Sequence, residues 1–200
     1  MSNLMKTGNV LDLRTAGGIF STCIFQAASS AVAAGVTTTA FQDDLNSSTS
    51  SGITQNRSTS NCFGGRVPQG EIWTIWGIQV QLDIETTALI SKADSAILTQ
   101  DALNRISVSM NLRGQEIQVG SIKCFPSGLG ANTITMNGGR AVNVMRFPRT
   151  QPLQLESNDV FTVTYKMETA YTSGAATDAL RIFTYCQGSK AISLANLAGA

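Results

Sequence analysis

Glu71-Ile72-Trp73-Thr74-Ile75-Trp76-Gly77-Ile78-Gln79-Val80-Gln81-Leu82-Asp83-Ile84-Glu85 reads as one long β-strand. Ile72, Thr74, Trp76, Ile78, Val80, Leu82 and Ile84 recur at every second position. Glu71, Gly77, Gln79, Gln81, Asp83 and Glu85 stand between them, and only Trp73 and Ile75 interrupt. Side chains of a strand alternate between faces, so this pattern presents one apolar face to a second layer. The added Trp73 and Ile75 predict that the first half is covered on both faces. Ahead of the strand, Val67-Pro68-Gln69-Gly70 reads as a turn.

The same alternation returns downstream in Arg105–Arg113, where Ile106, Val108, Met110 and Leu112 oppose Ser107, Ser109 and Asn111. Gly114 turns the chain into Ile117, Val119 and the run Ile122–Phe125. Asn132–Met136 and Ala141–Phe147 flank Asn137-Gly138-Gly139, a hairpin signal. Pro148 and Pro152 bracket an edge or turn before Leu153 and Leu155. Ser157-Asn158-Asp159 then turns into Val160–Glu168, and after a loop at Thr172–Thr177 the run Leu180–Cys186 supplies a last strand. From Gln187 onward no pattern emerges. Thr86–Asn104 has apolar spacing closer to a helix and reads as an inserted loop with a helical turn or two. Seven or eight short strands without βα alternation predict an all-β, antiparallel sandwich or barrel, and no fixed-period repeat suggests a propeller or solenoid.

The composition changes near residue 62. Between Thr37 and Asn61, 12 of 25 residues are Ser or Thr, and Phe41, Leu45 and Ile53 are the only sizeable apolar side chains. Such a stretch has too little apolar surface to offset its ordering entropy, so it reads as an extended arm or long loop that orders against something else. Ile19–Val36 before it permits a short helix or a strand. The division is therefore an N-terminal arm over 1–61 and a sandwich over 62–200.

Charged residues make up 14% of the chain and hydrophobic ones 42%, against roughly 25% charged in an average domain. A charge-poor surface suits one covered by neighbours, because interface centres are depleted in Lys, Glu and Asp. The net charge is +1 and no Lys or Arg run occurs, so strong nucleic-acid binding is not expected. The chain has no histidine, which removes the usual general base near neutral pH and the commonest metal ligand. Cys23, Cys62, Cys124 and Cys186 form no C-x-x-C pair and read as buried thiols, with an even count that leaves a disulfide open. Ala16–Val36 is interrupted by Ser21, Thr22, Gln26, Ser29 and Ser30, a poor membrane span and a poor secretory signal.

The pairs Asp43 with Asp44, Asp83 with Glu85, and Glu156 with Asp159 are the candidate catalytic carboxylates, which need a fixed separation across a cleft. An arm, a solvent-facing strand edge and a turn do not provide one. A Ser or Cys nucleophile lacks a histidine partner, and no convincing S-x-x-K replaces it. Gly64-Gly65 and Gly138-Gly139 do not open a helix, as a phosphate cradle requires. Arg140, Arg146 and Arg149 read as solvated or paired at an interface. Trp73 and Trp76 read as core residues, with a carbohydrate platform as the alternative. No catalytic residue, cofactor or metal site is expected.

Val67-Pro68-Gln69-Gly70-Glu71-Ile72-Trp73-Thr74-Ile75 and Pro152-Leu153-Gln154-Leu155-Glu156-Ser157-Asn158-Asp159-Val160-Phe161-Thr162-Val163, behind a polar arm, resemble the single jelly-roll coat proteins of icosahedral viruses and bacteriophages. The resemblance covers residues 62 to 187 in outline. It implies an eight-stranded sandwich that assembles with copies of itself and other virion proteins. Many such proteins carry an Arg-rich arm that condenses the genome. Residues 1–61 instead balance Lys6, Arg14 and Arg57 against Asp12, Asp43 and Asp44. The expected role of the arm is to stitch subunits together, or to meet an internal membrane through Ile19–Val36. A phage receptor-binding or carbohydrate-binding β-sandwich is the competing expectation.

Overall fold

The structure, a computed structural model, describes residues 10–13, 20–27, 33–85, 104–122, 145–148, 150–171 and 179–193. The strands are β1 (Val10–Leu13), β2 (Phe20–Ala27), β3 (Thr37–Ala40), β4 (Glu71–Glu85), β5 (Ile106–Leu112), β6 (Gln115–Ser121), β7 (Met145–Arg146), β8 (Leu153–Leu155), β9 (Phe161–Met167) and β10 (Ala179–Ser193). One sheet has β10 and β4 at its centre, with β1 and β2 on the outer side of β10 and β7 and β8 on the outer side of β4. The other runs β3-β9-β5-β6.

The outer strands of the first sheet lie end to end. β2 covers Ala179–Cys186 of β10, and β1 covers Lys190–Ser193. β7 pairs with Gly77 and Ile78 of β4, and β8 with Trp73–Ile75. Each sheet is thus four rows wide. Numbered by row along the chain, the orders are 1-8-3-6 and 2-7-4-5, with every pairing antiparallel. That is the order obtained by rolling up one long hairpin whose arms pair 1 with 8, 2 with 7, 3 with 6 and 4 with 5. The protein is an antiparallel β-sandwich with jelly-roll topology.

β4 has the bounds its alternation predicts, but its phase slips once. Gln187 lies opposite Gly77 and Gly188 opposite Ile75, so Trp76 has no counterpart on β10. This extra residue is a β-bulge, and a one-residue slip exchanges the faces. Trp73 and Ile75 are buried before it, Ile78 and Val80 are buried after it, and Trp76 is 37% exposed. On the other face of the first half Ile72 and Thr74 are half-buried, beside their buried partners Ala191 and Ser189, so that face is covered only in part.

The core joins both sheets. Trp73, Ile75, Ile78, Val80, Leu155, Ile182 and Cys186 meet Ala40, Ile106, Val108, Met110, Phe161, Val163, Tyr165 and Met167. Phe161 is its hub, stacked on Phe41 at 5.5 Å and edge-on to Trp73 at 6.5 Å between ring centroids. Tyr165 and Thr184 share a buried hydrogen bond of 2.6 Å between the sheets. Tyr165→Phe therefore leaves the Thr184 hydroxyl buried without this partner and costs about 1–2 kcal/mol, whereas Tyr165→Phe with Thr184→Val recovers most of that. Urea midpoints of the two single variants and the double variant check this.

The N-terminal stretch is extended but does not stand apart from the sandwich. β2 and β3 precede residue 62 and belong to different sheets, and Ala40 and Phe41 are core residues. The boundary at residue 61 has no counterpart in the packing, because these strands gain their partners from β10 and β9, far along the chain. Strand pairing also resolves Ile19–Val36, which the pattern left open, as β2 in its first part. β10 continues past Cys186 to Ser193. The helical turns expected in Thr86–Asn104, the hairpin at Asn137-Gly138-Gly139 and the loop Thr172–Thr177 lie essentially outside the described residues.

Candidate functional site

The richest polar architecture lies at one end of the sandwich, where the loop after β3, the β5–β6 turn and the turn before β9 meet. Its centre is Asp43, 5% exposed. One carboxylate oxygen accepts the Ser50 amide at 2.7 Å, and the other accepts the Ser51 amide at 2.8 Å and the Ser51 hydroxyl. Asn56 organises the next turn, accepting the amides of Ser58 at 2.8 Å and Thr59 at 3.2 Å on its side-chain oxygen. Ser and Asn side chains compete with regular structure for backbone groups, so a Ser/Thr-rich segment can be fixed by hydrogen bonds where apolar contacts are scarce. This loop is thus ordered against its own sandwich.

Gly64 and Gly65 donate their amides to the Asp43 and Phe41 carbonyls at 3.2 and 2.7 Å. They hold the loop to the strands, and these amides are committed.

The turn at Glu156–Asp159 is also structural. The Asp159 carboxylate accepts the Glu156 amide at 2.8 Å and Arg113 Nε at 2.8 Å. The Glu156 amide, helped by the Arg113 guanidinium, holds the Asp159 carboxyl below the usual range. Arg113, with φ 54°, and Gly114, with φ 83°, form the two-residue β5–β6 turn. Arg113 also donates Nη2 to the Gln154 carbonyl at 3.1 Å, so this side chain links three segments.

Beside this turn is a groove of about 340 Å³ lined by Leu112, Arg113, Gln115, Ile117, Leu153 and Leu155. It lies between β5–β6 of one sheet and β8 of the other. Ile117 is 45% exposed on β6, an outer strand of its sheet.

The remaining sequence candidates separate. Asp43 is buried and Asp44 exposed, so they do not act as a pair. Asp83 and Glu85 lie opposite Arg181 and Ala179 in the strand register. Trp73 is 1% exposed, donating Nε1 to Glu71 at 2.6 Å under the Lys190 ammonium, 4.8 Å from its ring centroid. Trp76 is the bulged residue and reaches the surface. Arg146 pairs with Gly77 through its backbone, while Arg140, Arg149, Gly138 and Gly139 lie outside the described residues. Among the described residues no cluster of three or more His, Cys, Asp or Glu side chains is placed to hold a metal, and no helix is long and apolar enough to cross a membrane. The groove went unnoticed in the sequence because its lining comes from three strands. The one local sign was Ile117, apolar between Glu116 and Gln118.

Cys62 and Cys186 are free thiols buried in the core. Burial pushes the Cys62 thiol up to about 12, and the Cys186 thiol well above its ordinary value. A raised thiol pKa favours the folded state fully below the unfolded-state pKa and ceases to do so as pH climbs through the folded one. Stability is therefore expected to fall between pH about 9 and 12. Alkylation with peptide mapping at neutral pH should leave both thiols unmodified until denaturant is added.

Comparison of the chain with protein families, with curated proteins and with solved structures gives no match.

Proposed function

We propose that the chain is a non-enzymatic structural virion protein that self-assembles into, or attaches to, an icosahedral shell. The observation that carries this reading is the strand order 1-8-3-6 over 2-7-4-5, the roll from which viral coats are built. The same roll also serves lectin-like domains, which is where the second reading below comes from. The charge-poor composition supports it independently, since subunit contacts cover surface that a lone domain keeps polar. In this role the partners are copies of the chain and other virion proteins, and the location is the virion. The balanced charge of residues 1–61 favours protein contacts over genome binding.

Sedimentation velocity of the full chain over a wide range of concentration and salt tests this. Discrete oligomers that grow with concentration are the expected result. A single species of subunit mass under every condition would remove the assembly reading.

One observation favours the second reading, a receptor- or carbohydrate-binding module. Trp76 is an indole 37% exposed, at a bulge, and bulges often serve to aim a side chain. A glycan array positive for the native protein and negative for Trp76→Ala, with unchanged circular dichroism, would establish that reading. Trp73→Ala would not serve, because Trp73 is in the core.

A further inference from the structure

β6 is the outermost strand of its sheet, and its outer edge is open. Gln115, Glu116, Ile117 and Gln118 are all exposed, and among the described residues only β5 pairs with this strand. At the opposite edge of the sheet the Thr39 amide of β3 is taken up by the Ser50 carbonyl at 2.6 Å. Across the sandwich, β8 follows Pro152, which has no amide to donate. β6 contains no Lys, Arg or Pro, the residues that commonly keep an edge from pairing with another chain. Its one guard is the bulge at Val119, which has no counterpart on β5 and confines the open stretch to residues 115–118.

The β5–β6 turn fixes which backbone groups face outward. A two-residue turn makes Leu112 and Gln115 a hydrogen-bonded pair, and bonded and non-bonded pairs alternate from there. Met110 with Ile117 is then a bonded pair. The amides and carbonyls of Glu116 and Gln118, opposite Asn111 and Ser109, point away from β5. Between them stands Ile117, on the same face as its buried partner Met110 but 45% exposed itself.

We propose that β6 pairs antiparallel with β6 of a second copy, about a two-fold axis through Ile117. Glu116 then lies opposite Gln118 of the second copy, and Gln118 opposite Glu116 of the second copy. Both pairs exchange their outward N–H···O bonds. Charge selects the register. The one ionised side chain of β6, Glu116, meets a neutral amide, whereas moving the axis one residue to Glu116 would set two carboxylates directly against each other. The apolar match selects the occupant. Ile117 meets itself, so each copy covers the large apolar side chain that the other leaves exposed, and a two-fold contact supplies this match from one patch. The pairing joins two four-row sheets into one and closes at two copies, so further contacts extend it to a shell. This inference rests on the self-assembly reading and names one surface that performs it.

The test uses the full chain with Ile117→Cys. Residues opposite each other in a non-bonded antiparallel pair have Cα atoms about 4.5 Å apart, within the reach of a disulfide. Oxidised glutathione is expected to link this variant into a covalent dimer, the two thiols giving two protons and two electrons to the glutathione disulfide. The native chain under the same oxidant sets the background from its own cysteines. Gln118→Cys, whose residue faces Glu116 and not itself, is expected to stay at that background. As a second measurement, Ile117→Lys and Ile117→Glu should each raise the concentration at which dimers form in sedimentation velocity by about tenfold or more, and an equimolar mixture should recover it. Circular dichroism of every variant checks that the fold is kept, and the Lys and Glu pair carries the test if the Cys variant misfolds. A native chain that associates while Ile117→Cys links no more than Gln118→Cys would overturn this contact and leave the assembly reading standing. A native chain of subunit mass throughout, with no link through residue 117, would overturn both.

Discussion

Gly188→Ala is expected to destabilise the fold by about 3 kcal/mol or more, near the upper end of what overpacking costs. A Cβ at this position would stand 2.2 Å from the Thr74 carbonyl oxygen and 3.0 Å from the Ile75 Cα. Both atoms are backbone of β4, held between β10 and β8, so neither can swing aside as a side-chain tip would. The close approach occurs where the bulge at Trp76 brings the two central strands out of step. Gly35→Ala is the control. It has nothing within 4 Å of its Cβ position and a φ of +83°, so it should cost only about 1 kcal/mol through backbone strain. Urea midpoints that fall equally for the two variants, or not at all for Gly188→Ala, would mean that β4 and β10 do not meet in this register.

Asp43→Ala is expected to cost about 3 kcal/mol. Hydrogen bonds to a charged group contribute roughly 1.5–3 kcal/mol each, without simple additivity. The substitution leaves the Ser50 and Ser51 amides without their acceptor, while the Ser51 hydroxyl keeps the Ile53 carbonyl at 2.9 Å. The loss should be local before it is global. Limited proteolysis should begin within residues 45–60, and Asp43→Asn, which keeps one acceptor oxygen, should fall between the alanine variant and the native chain. An alanine variant cut at the native rate and unfolding at the native midpoint would sink the view that this carboxylate holds the loop.

These two positions mark where the sequence was hard to read. The alternation in β4, β5 and β9 was legible because each buries a row of large apolar side chains, and period two needs no knowledge of the partner strand. The bulge was not legible, since Trp76 suits either face and only the register with β10 reveals that it is extra. The second half of β10 was lost for a related reason. Gly188, Ser189 and Ala191 carry no hydrophobic signal, and Gly188 is present because another backbone passes close by. β2 and β3 become strands through partners more than a hundred residues away. Apolar content says little about the Ser/Thr-rich loop, whose order comes from polar side chains bonding to nearby backbone.

The candidate surface was the least legible part. Arg113 signalled nothing beyond a charged residue before a glycine, yet it sits at the tip of a two-residue turn and touches Asp159 and the Gln154 carbonyl. The groove beside it needs Leu112 and Ile117 of one sheet beside Leu155 of the other, which only the packing of the two sheets brings about.

A roll that builds a shell must assemble into closed bodies of fixed size. Negative-stain microscopy of the purified, tag-free chain at high concentration, with its mass followed by light scattering, tests that most directly. Closed particles or rings of one defined size, with a mass that is a fixed multiple of the subunit, are the expected result. Compact single particles of subunit mass at every concentration and salt would contradict it.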